Sequence, residues 1–315
     1  MSSTPILHRR AELRNDTTKL SCYLESSSTK ILVSNKGKYL CSEGQPKYFK
    51  YKTLTELTSN KLKLENNDLY ELTYLGEVHN THHFLMVANQ LVEGLSEYDF
   101  LDLRTAALNC PIFDVGVLFY SQGLSNWHFT HRFCAKCGHK SSPNQTGHSR
   151  ICSNRDCAKE HFPRIEPAVI FSIQCVIDGI PKLLLARQAN WPEKRYSVIA
   201  GFAEHGESLE EAVAREAMEE VGLVVSNIKY VSSQPWPFPA SLMLGFTTET
   251  KQRDICLVDE ELEHAQWLSA EEIRISVEKG QLLMPFSVSI SWHLVDRWYK
   301  QQTGESLASL SKGSG

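Results

Sequence analysis

The stretch richest in chemistry reads Gly201-Phe-Ala-Glu-His-Gly-Glu207-Ser-Leu-Glu-Glu-Ala-Val-Ala-Arg215-Glu216-Ala-Met-Glu219-Glu220-Val-Gly222-Leu223. Ser208 suits a helix N-cap, and Glu211 three residues later completes a capping box. Gly222 suits the helix end. Each helical residue turns the chain by about 100°, so Glu219 and Glu220 fall within about 60° of Glu216. Leu209, Ala212 and Val213 lie on the same stripe. The acids therefore continue a line that an amphipathic helix buries. Like charges gathered there repel one another and lose hydration, so they need a cation. Mg²⁺, a hard ion that prefers oxygen, fits. Glu210 and Glu211 lie off the stripe and read as solvated.

A second group is thiolate. Cys134-Ala-Lys-Cys137 and Cys152-Ser-Asn-Arg-Asp-Cys157 each place two sulfurs on one turn. Together they can close a tetrahedral zinc site with no open position, which makes the metal structural. His139 and His148 then read as exposed loop histidines. The odd total of nine cysteines argues against a secreted disulfide framework. A zinc ribbon also occurs in nucleic-acid-binding modules, so the metal alone does not decide function.

A third group is aromatic: Ser233-Gln-Pro-Trp-Pro-Phe-Pro-Ala-Ser-Leu-Met243. Its prolines impose a rigid, extended path. Trp236 and Phe238 are thereby held where an exposed ring face can stack on a base or nicotinamide. Gln234 and Ser241 can hydrogen-bond such a ring. The alternative is a proline-rich loop whose aromatics pack into core.

The elements that must position these groups fall into blocks. Residues 1–125 carry short β-like runs: Ile31–Ser34 and Tyr39–Cys41 as a hairpin, and Leu69–Leu75 with Phe84–Ala88 across a polar Gly76–His83 stretch. Ser96–Cys110 reads as a helix. No catalytic constellation stands here, and the block reads as a scaffold or dimerisation domain. Residues 126–164 form the metal module, which is too poor in apolar runs to fold on core alone. Residues 165–300 alternate strand and helix signals, beginning with strands Ala168–Ile177 and Lys182–Arg187 around Asp178-Gly-Ile-Pro. Residues 301–315 read as a tail. The net charge of −4 excludes a global field for nucleic acid or anionic membrane. No apolar run is long enough to span a membrane, and the first residues show no signal-peptide core. The expected location is intracellular and cytoplasmic. A peroxisomal one is the alternative, although the chain ends Ser-Lys-Gly-Ser-Gly and not Ser-Lys-Leu.

The pattern Gly-x₅-Glu-x₇-Arg-Glu-U-x-Glu-Glu-x-Gly-U, with U apolar, resembles the Nudix box at every fixed position, with Ala217 smaller than usual. The proline-aromatic loop resembles the signature of the NADH pyrophosphatases within that family. Trp127-His-x-x-His-Arg-Phe-Cys134 and Phe162-Pro-Arg-Ile-Glu-Pro resemble the entry to and exit from their zinc ribbon. The spacing of the second cysteine pair is like that of the eukaryotic peroxisomal members. The resemblance covers about residues 110–300.

It implies an α+β chain: an α/β/α Nudix sandwich, a β-rich N-terminal domain and a zinc ribbon. Glu216, Glu219 and Glu220 would bind Mg²⁺ or Mn²⁺, joined by the Ala200 carbonyl and by Glu261, aligned on Trp267. Glu260 and Glu263 read as solvated. Glu207 and Arg215 would brace the loop and helix. Phe162, Ala200, Gly201, Phe202, Gln234, Pro235, Trp236, Pro237, Phe238, Pro239, Ala240, Ser241 and Ser291 would line the substrate site. The implied reaction is metal-dependent hydrolysis of the diphosphate of NADH or NAD to (reduced) nicotinamide mononucleotide and AMP. Glu219 is the first candidate for general base and Glu261 the second. Rival substrates are the NAD cap of an RNA, ADP-ribose and diadenosine compounds. A non-catalytic zinc-ribbon binding module is the rival class. The family also implies a homodimer.

Overall fold

The computed structural model describes residues 7–58, 70–88, 93–95, 97–108, 110–257 and 261–313. Glu260 and the Leu69 and Ser96 ends of two expected elements lie outside the described residues. The chain forms two compact units, residues 1–164 with 237–240, and residues 165–236 with 241–315.

In the first unit the elements are α1 (Thr17–Glu25), β1 (Lys30–Asn35), β2 (Lys38–Ser42), β3 (Gln45–Pro46), β4 (Tyr48–Phe49), α2 (Tyr51–Thr58), β5 (Tyr70–Val78), β6 (Thr81–Ala88), β7 (Asp99–Asp102), α3 (Leu103–Leu108) and α4 (Ile112–Thr130). The ribbon adds β8 (Ser141–Asn144), β9 (Ser149–Cys152) and β10 (Glu160–His161). Among the described residues the main sheet runs β3-β2-β1-β6-β5, with β4 on β1 and β7 on β2, and β1 pairs with β6 in parallel. One face carries Ile31, Val33, Leu72 and Phe84 under α1 and α2; the other carries Leu32, Tyr39 and Leu85 under α3 and α4. Burial on both faces explains why Ile31-Leu-Val is unbroken apolar sequence rather than alternating. Lys36 and Gly37, both with positive φ, make the β1–β2 turn.

Three expectations change in this unit. Strands β5 and β6 run into the polar Gly76–His83 stretch, because the turn is only His79-Asn80, and His82 and His83 are buried. The region expected as one helix splits: Asp99–Asp102 pairs with β2, and the Asp102 carboxylate accepts from the amides of Arg104 and Thr105 to start α3 there. Helix α4 was not foreseen. It buries Val117, Leu118, Leu124 and Trp127 on more than one side, so no apolar stripe marks it.

The second unit contains β11 (Glu166–Ile177), β12 (Ile180–Arg187), β13 (Ile199–Phe202), α5 (Leu209–Val221), β14 (Ser226–Trp236), β15 (Ser241–Glu249), β16 (His264–Ser269), α6 (Ala270–Glu278) and α7 (Ile290–Thr303). Its sheet order is β14-β15-β11-β12-β16, with β13 on β11. Val169, Phe171 and Ile173 of β11 pack with Ala212, Val213 and Val221 of α5. Ile170, Leu183 and Leu185 pack on the opposite face with Ile273 of α6 and Leu294 and Val295 of α7. The result is an α/β/α sandwich. Asp178 and Gly179, both with positive φ, turn β11 into β12. Pro235 is tolerated in β14 because that strand is an edge. Among the described residues no helix is long and apolar enough to cross a membrane.

Candidate active site and zinc centre

Helix α5 begins as its sequence dictates. Ser208 accepts from the Glu211 amide and Glu211 accepts from the Ser208 amide; Gly222, left-handed at φ 68°, closes the other end. Leu209, Ala212, Val213, Ala217 and Val221 face the core. The acids on that line are graded by depth. Glu220 is buried, Glu216 retains 12% of its side-chain exposure, and Glu219 retains 54%.

Arg215 organises the polar side. Its guanidinium donates twice to Glu207 (2.7 and 3.0 Å) and once to the Phe202 carbonyl (2.8 Å). It also reaches Glu216 at 2.8 Å and Glu219 at 2.9 Å. The Glu204 amide donates to Glu207 as well. The bracing expected of Glu207 and Arg215 is thus present in the geometry. These bonds to its charged form, Arg215 foremost, hold the Glu207 carboxyl down at about 2. Glu216 moves the other way. Burial raises its pKa, Arg215 opposes this, and the nearby charges of Glu219 and Glu261 raise it further.

Strand β13 brings Ala200, Gly201 and Phe202 alongside α5. A β-carbon built on Gly201 would lie 1.9 Å from the carboxyl carbon of Glu216, so only glycine leaves room for that carboxylate. Phe202 is exposed. Glu261, just before β16, is also exposed and accepts from Gln188 Nε2 at 2.9 Å. Glu263 is exposed and paired with Arg187. The glutamates do not close to within 4.8 Å of one another as a group; among the described residues only the four cysteines do. Arg215 stands between Glu216 and Glu219 and takes up part of their charge. A glycine cradle ringed by oxygen donors is nonetheless a donor set that fits a hard divalent cation.

Along β14, the Gln234 amide is consumed by the start of α7: its nitrogen donates to Val288 O and its oxygen accepts from Ile290 N, both at 2.8 Å. Ser241 and Ser291 are buried, and the Ser291 hydroxyl pairs with Ser197 at 2.6 Å. Trp236 and Ser241 are directly paired across β14 and β15. Pro235 is exposed, and Trp236 is half-buried.

Pro237, Phe238, Pro239 and Ala240 belong to the first unit. The Phe238 ring is half-buried rather than presented, with Phe119 edge-on at 6.3 Å and the Arg104 guanidinium 4.7 Å from its centroid. Asn126 Nδ2 donates to the carbonyls of Pro239 (2.9 Å) and Pro237 (3.4 Å). Phe162, in the same unit, is 55% exposed. Asn126, Gln188 and Ser197 were missed in the sequence, where none belongs to a spaced motif.

The zinc centre is compact. Sulfurs of Cys134 and Cys157 are 3.8 Å apart, and those of Cys137 and Cys152 are 3.4 Å apart. A tetrahedral site with Zn–S of about 2.3 Å has edges of about 3.8 Å, so the residues fit a structural zinc. His161 Nε2 stands 3.2 Å from Cys134 Sγ. His139 is exposed as expected, but His148 is not: it is buried, donating to Tyr74 O at 2.7 Å. Gly147 beside it lies so close to Thr73 that a β-carbon would sit 2.2 Å from the Thr73 hydroxyl. Buried Arg150 donates to Ser141 and to His128 Nδ1, while His128 Nε2 donates to Gly147 O. Burial, helped by Arg150, pushes the His128 pKa down to about 3.

Residues 169–284 match the NUDIX domain model, and residues 130–162 match the NADH pyrophosphatase zinc ribbon domain. The chain is 37% identical over 242 residues to the NAD-capped RNA hydrolase NudC of Mycobacterium bovis, which covers 72% of this chain and 75% of that one. It is 38% identical over 223 residues to the mitochondrial NAD(P)H pyrophosphatase NUDT13 of Mus musculus, covering 66% of this chain and 62% of the relative. Nudix hydrolase 19, chloroplastic, of Arabidopsis thaliana is 34% identical over 270 residues, covering 67% and 61%. The chain belongs to the Nudix hydrolases, in the group that carries the NADH pyrophosphatase zinc ribbon.

Proposed function

We propose that this enzyme hydrolyses the diphosphate of NADH or NAD to (reduced) nicotinamide mononucleotide and AMP, and removes the NAD cap of RNA by the same reaction. The observation that carries the reading is the Glu216 carboxylate seated against Gly201, with Glu219 on the same guanidinium and the Glu261 charge close by. The relatives named for NAD-capped RNA and NAD(P)H support the substrate class. The ring-binding end of both substrates is the same dinucleotide.

Ala200 O, Glu216, Glu219, Glu220 and Glu261 would hold Mg²⁺ or Mn²⁺. When bound, that ion supplies charge neutralisation for the diphosphate and acidifies water. Glu216 and Glu220, the deeper pair, act as fixed donors. Glu219, the exposed one, accepts the proton of the attacking water from its place beside Arg215, with Glu261 second in line. Water oxygen bonds to one phosphorus, the bridging P–O bond breaks, and its electron pair leaves on the departing phosphate. Glu207 and Arg215 hold the loop and helix in register throughout. A homodimer is the assembly the resemblance implies, and light scattering at working concentration decides it.

Chromatography of products from NADH with Mg²⁺ or Mn²⁺ tests the reading: AMP and reduced nicotinamide mononucleotide should appear in equal amounts. Slower turnover of NADH and NAD-capped RNA than of ADP-ribose or diadenosine compounds would shift the assignment to those substrates. Glu219→Gln should cut kcat by about 10²–10⁴-fold at unchanged melting temperature. Retained activity in that variant removes Glu219 from the proton-accepting role.

A further inference from the structure

The sheet face of the second unit that carries α6 and α7 is apolar at Ile170, Leu183 and Leu185. Along β11 that line then turns polar. Ser172 and Gln174 follow Ile170 at the strand period of two, so they point toward α7 and away from α5. The neighbouring strands change at the same level. Ser172 stands opposite Thr247 of β15, and Thr247 opposite Lys229 of β14; Gln174 stands opposite Glu249. The β14 register shifts between Ser226 and Lys229, where Asn227 takes a positive φ of 53°. Asn227 Nδ2 donates to Glu249 Oε2 at 2.7 Å, and Gln174 Nε2 to Glu249 Oε1 at 3.0 Å.

With Arg297, Trp298 and Gln301 of α7, these side chains line a cavity of about 200 Å³, over ten times the roughly 10–15 Å³ that one water needs. Arg297 and Gln301, four residues apart, share one helix face. The chemistry is rich in donors. Both Glu249 oxygens already accept, and those bonds, Asn227 first, hold its carboxyl below the usual range and ionised. The remaining groups offer protons: the Lys229 ammonium, the Arg297 guanidinium, the Gln301 amide and the Trp298 indole N–H, which can only donate. That indole N–H is buried with no hydrogen-bond partner among the described residues. A buried donor left unmet is costly, and a ligand that accepts from it removes the cost. The two cations also outnumber the one carboxylate, whose charge Lys229 already feels.

We infer that this cavity binds a phosphate monoester of a small polyol, a pentose phosphate in size and chemistry. Lys229, Arg297 and the Trp298 N–H take the phosphate; Ser172, Thr247 and Gln301 take the hydroxyls. Two positive charges and a donor-only N–H suit a dianionic oxyanion, and the volume leaves space beside it for a sugar. The cavity lies on the opposite sheet face from α5 and Glu216, so it is not part of the site already described.

The test uses the full-length, zinc-loaded protein without added Mg²⁺ or Mn²⁺, so that no divalent ion draws phosphate to the α5 carboxylates. Ribose 5-phosphate, inorganic phosphate and ribose are titrated at about 0.15 M salt, which screens loose surface attraction. The readout is the set of indole N–H signals of protein labelled with nitrogen-15. The Trp298 signal is identified by its loss in Trp298→Phe or, if that variant does not fold, through its backbone connections. Ribose 5-phosphate should move the Trp298 signal saturably, inorganic phosphate about threefold more weakly or worse, and ribose alone not at all. Lys229→Gln and Arg297→Gln, both at exposed positions, should each weaken binding about tenfold at unchanged melting temperature. Their NADH hydrolysis should stay within about threefold of the parent, so the cavity stands or falls apart from the proposed reaction. A Trp298 signal unmoved by both phosphates overturns the site and leaves the cavity to water. A shift that survives both substitutions overturns it too, as does one that ribose alone reproduces. Equal binding of inorganic phosphate and the ester overturns the assignment of the hydroxyl and amide lining to a sugar.

Discussion

Glu216 owes its place to an absence. Because Gly201 has no β-carbon, a carboxylate can lie against the backbone of β13, half-desolvated and beside other acids. Gly201→Ala should therefore fold, since β13 only needs extended backbone there, but it must push the carboxylate aside. We expect kcat/KM to fall about 10²-fold with a weaker Mg²⁺ dependence, read by titrating the metal in the activity assay. A parental metal response in the Gly201→Ala enzyme would show that the contact has no bearing on the site. At this scale the sequence was legible wherever residues share one helix, as in the capping box and the acidic stripe, while the pairing of Glu207 with Arg215 came from the family resemblance. It was silent on Gln188 bonded to Glu261 and on Ser197 bonded to Ser291, because those partners come from segments distant in the chain.

Hairpins with two-residue turns announced themselves through Lys-Gly and Asp-Gly, where positive φ is needed. Helix α4 did not, since burial on several sides erases the periodic signal, and His148 misled because polarity was taken for exposure. Its burial has a measurable consequence. An unfolded histidine protonates near 6.5, whereas burial pushes folded His148 down to about 4. Between those values the unfolded chain binds the extra proton. The stability contribution is thus complete above about pH 6.5 and is lost as pH falls toward 4. Gln at this position can still donate to the Tyr74 carbonyl but does not titrate. Melting curves of His148→Gln should accordingly lose less stability between pH 7 and 5 than the parent, by up to about 1.4 kcal/mol per pH unit. Parallel pH profiles for the two proteins would refute this account.

Each compact unit has its own core, but only the first leans on a metal. Its ribbon meets the β5 strand through Gly147, His148 and Arg150, and none of the four cysteines belongs to a hydrophobic core cluster of the described residues. A zinc-selective chelator should lower the melting of the first unit, while the second unit keeps its own transition and helix signal. A single transition that shifts as a whole would contradict this. Arg215 leads to a different property of the second unit. Its guanidinium already sits on Glu216 and Glu219 and supplies them with a resident countercharge. The acidic helix can therefore stand folded before any divalent ion arrives. A divalent ion at the proposed site would therefore share these carboxylates with an internal cation that stays anchored on Glu207.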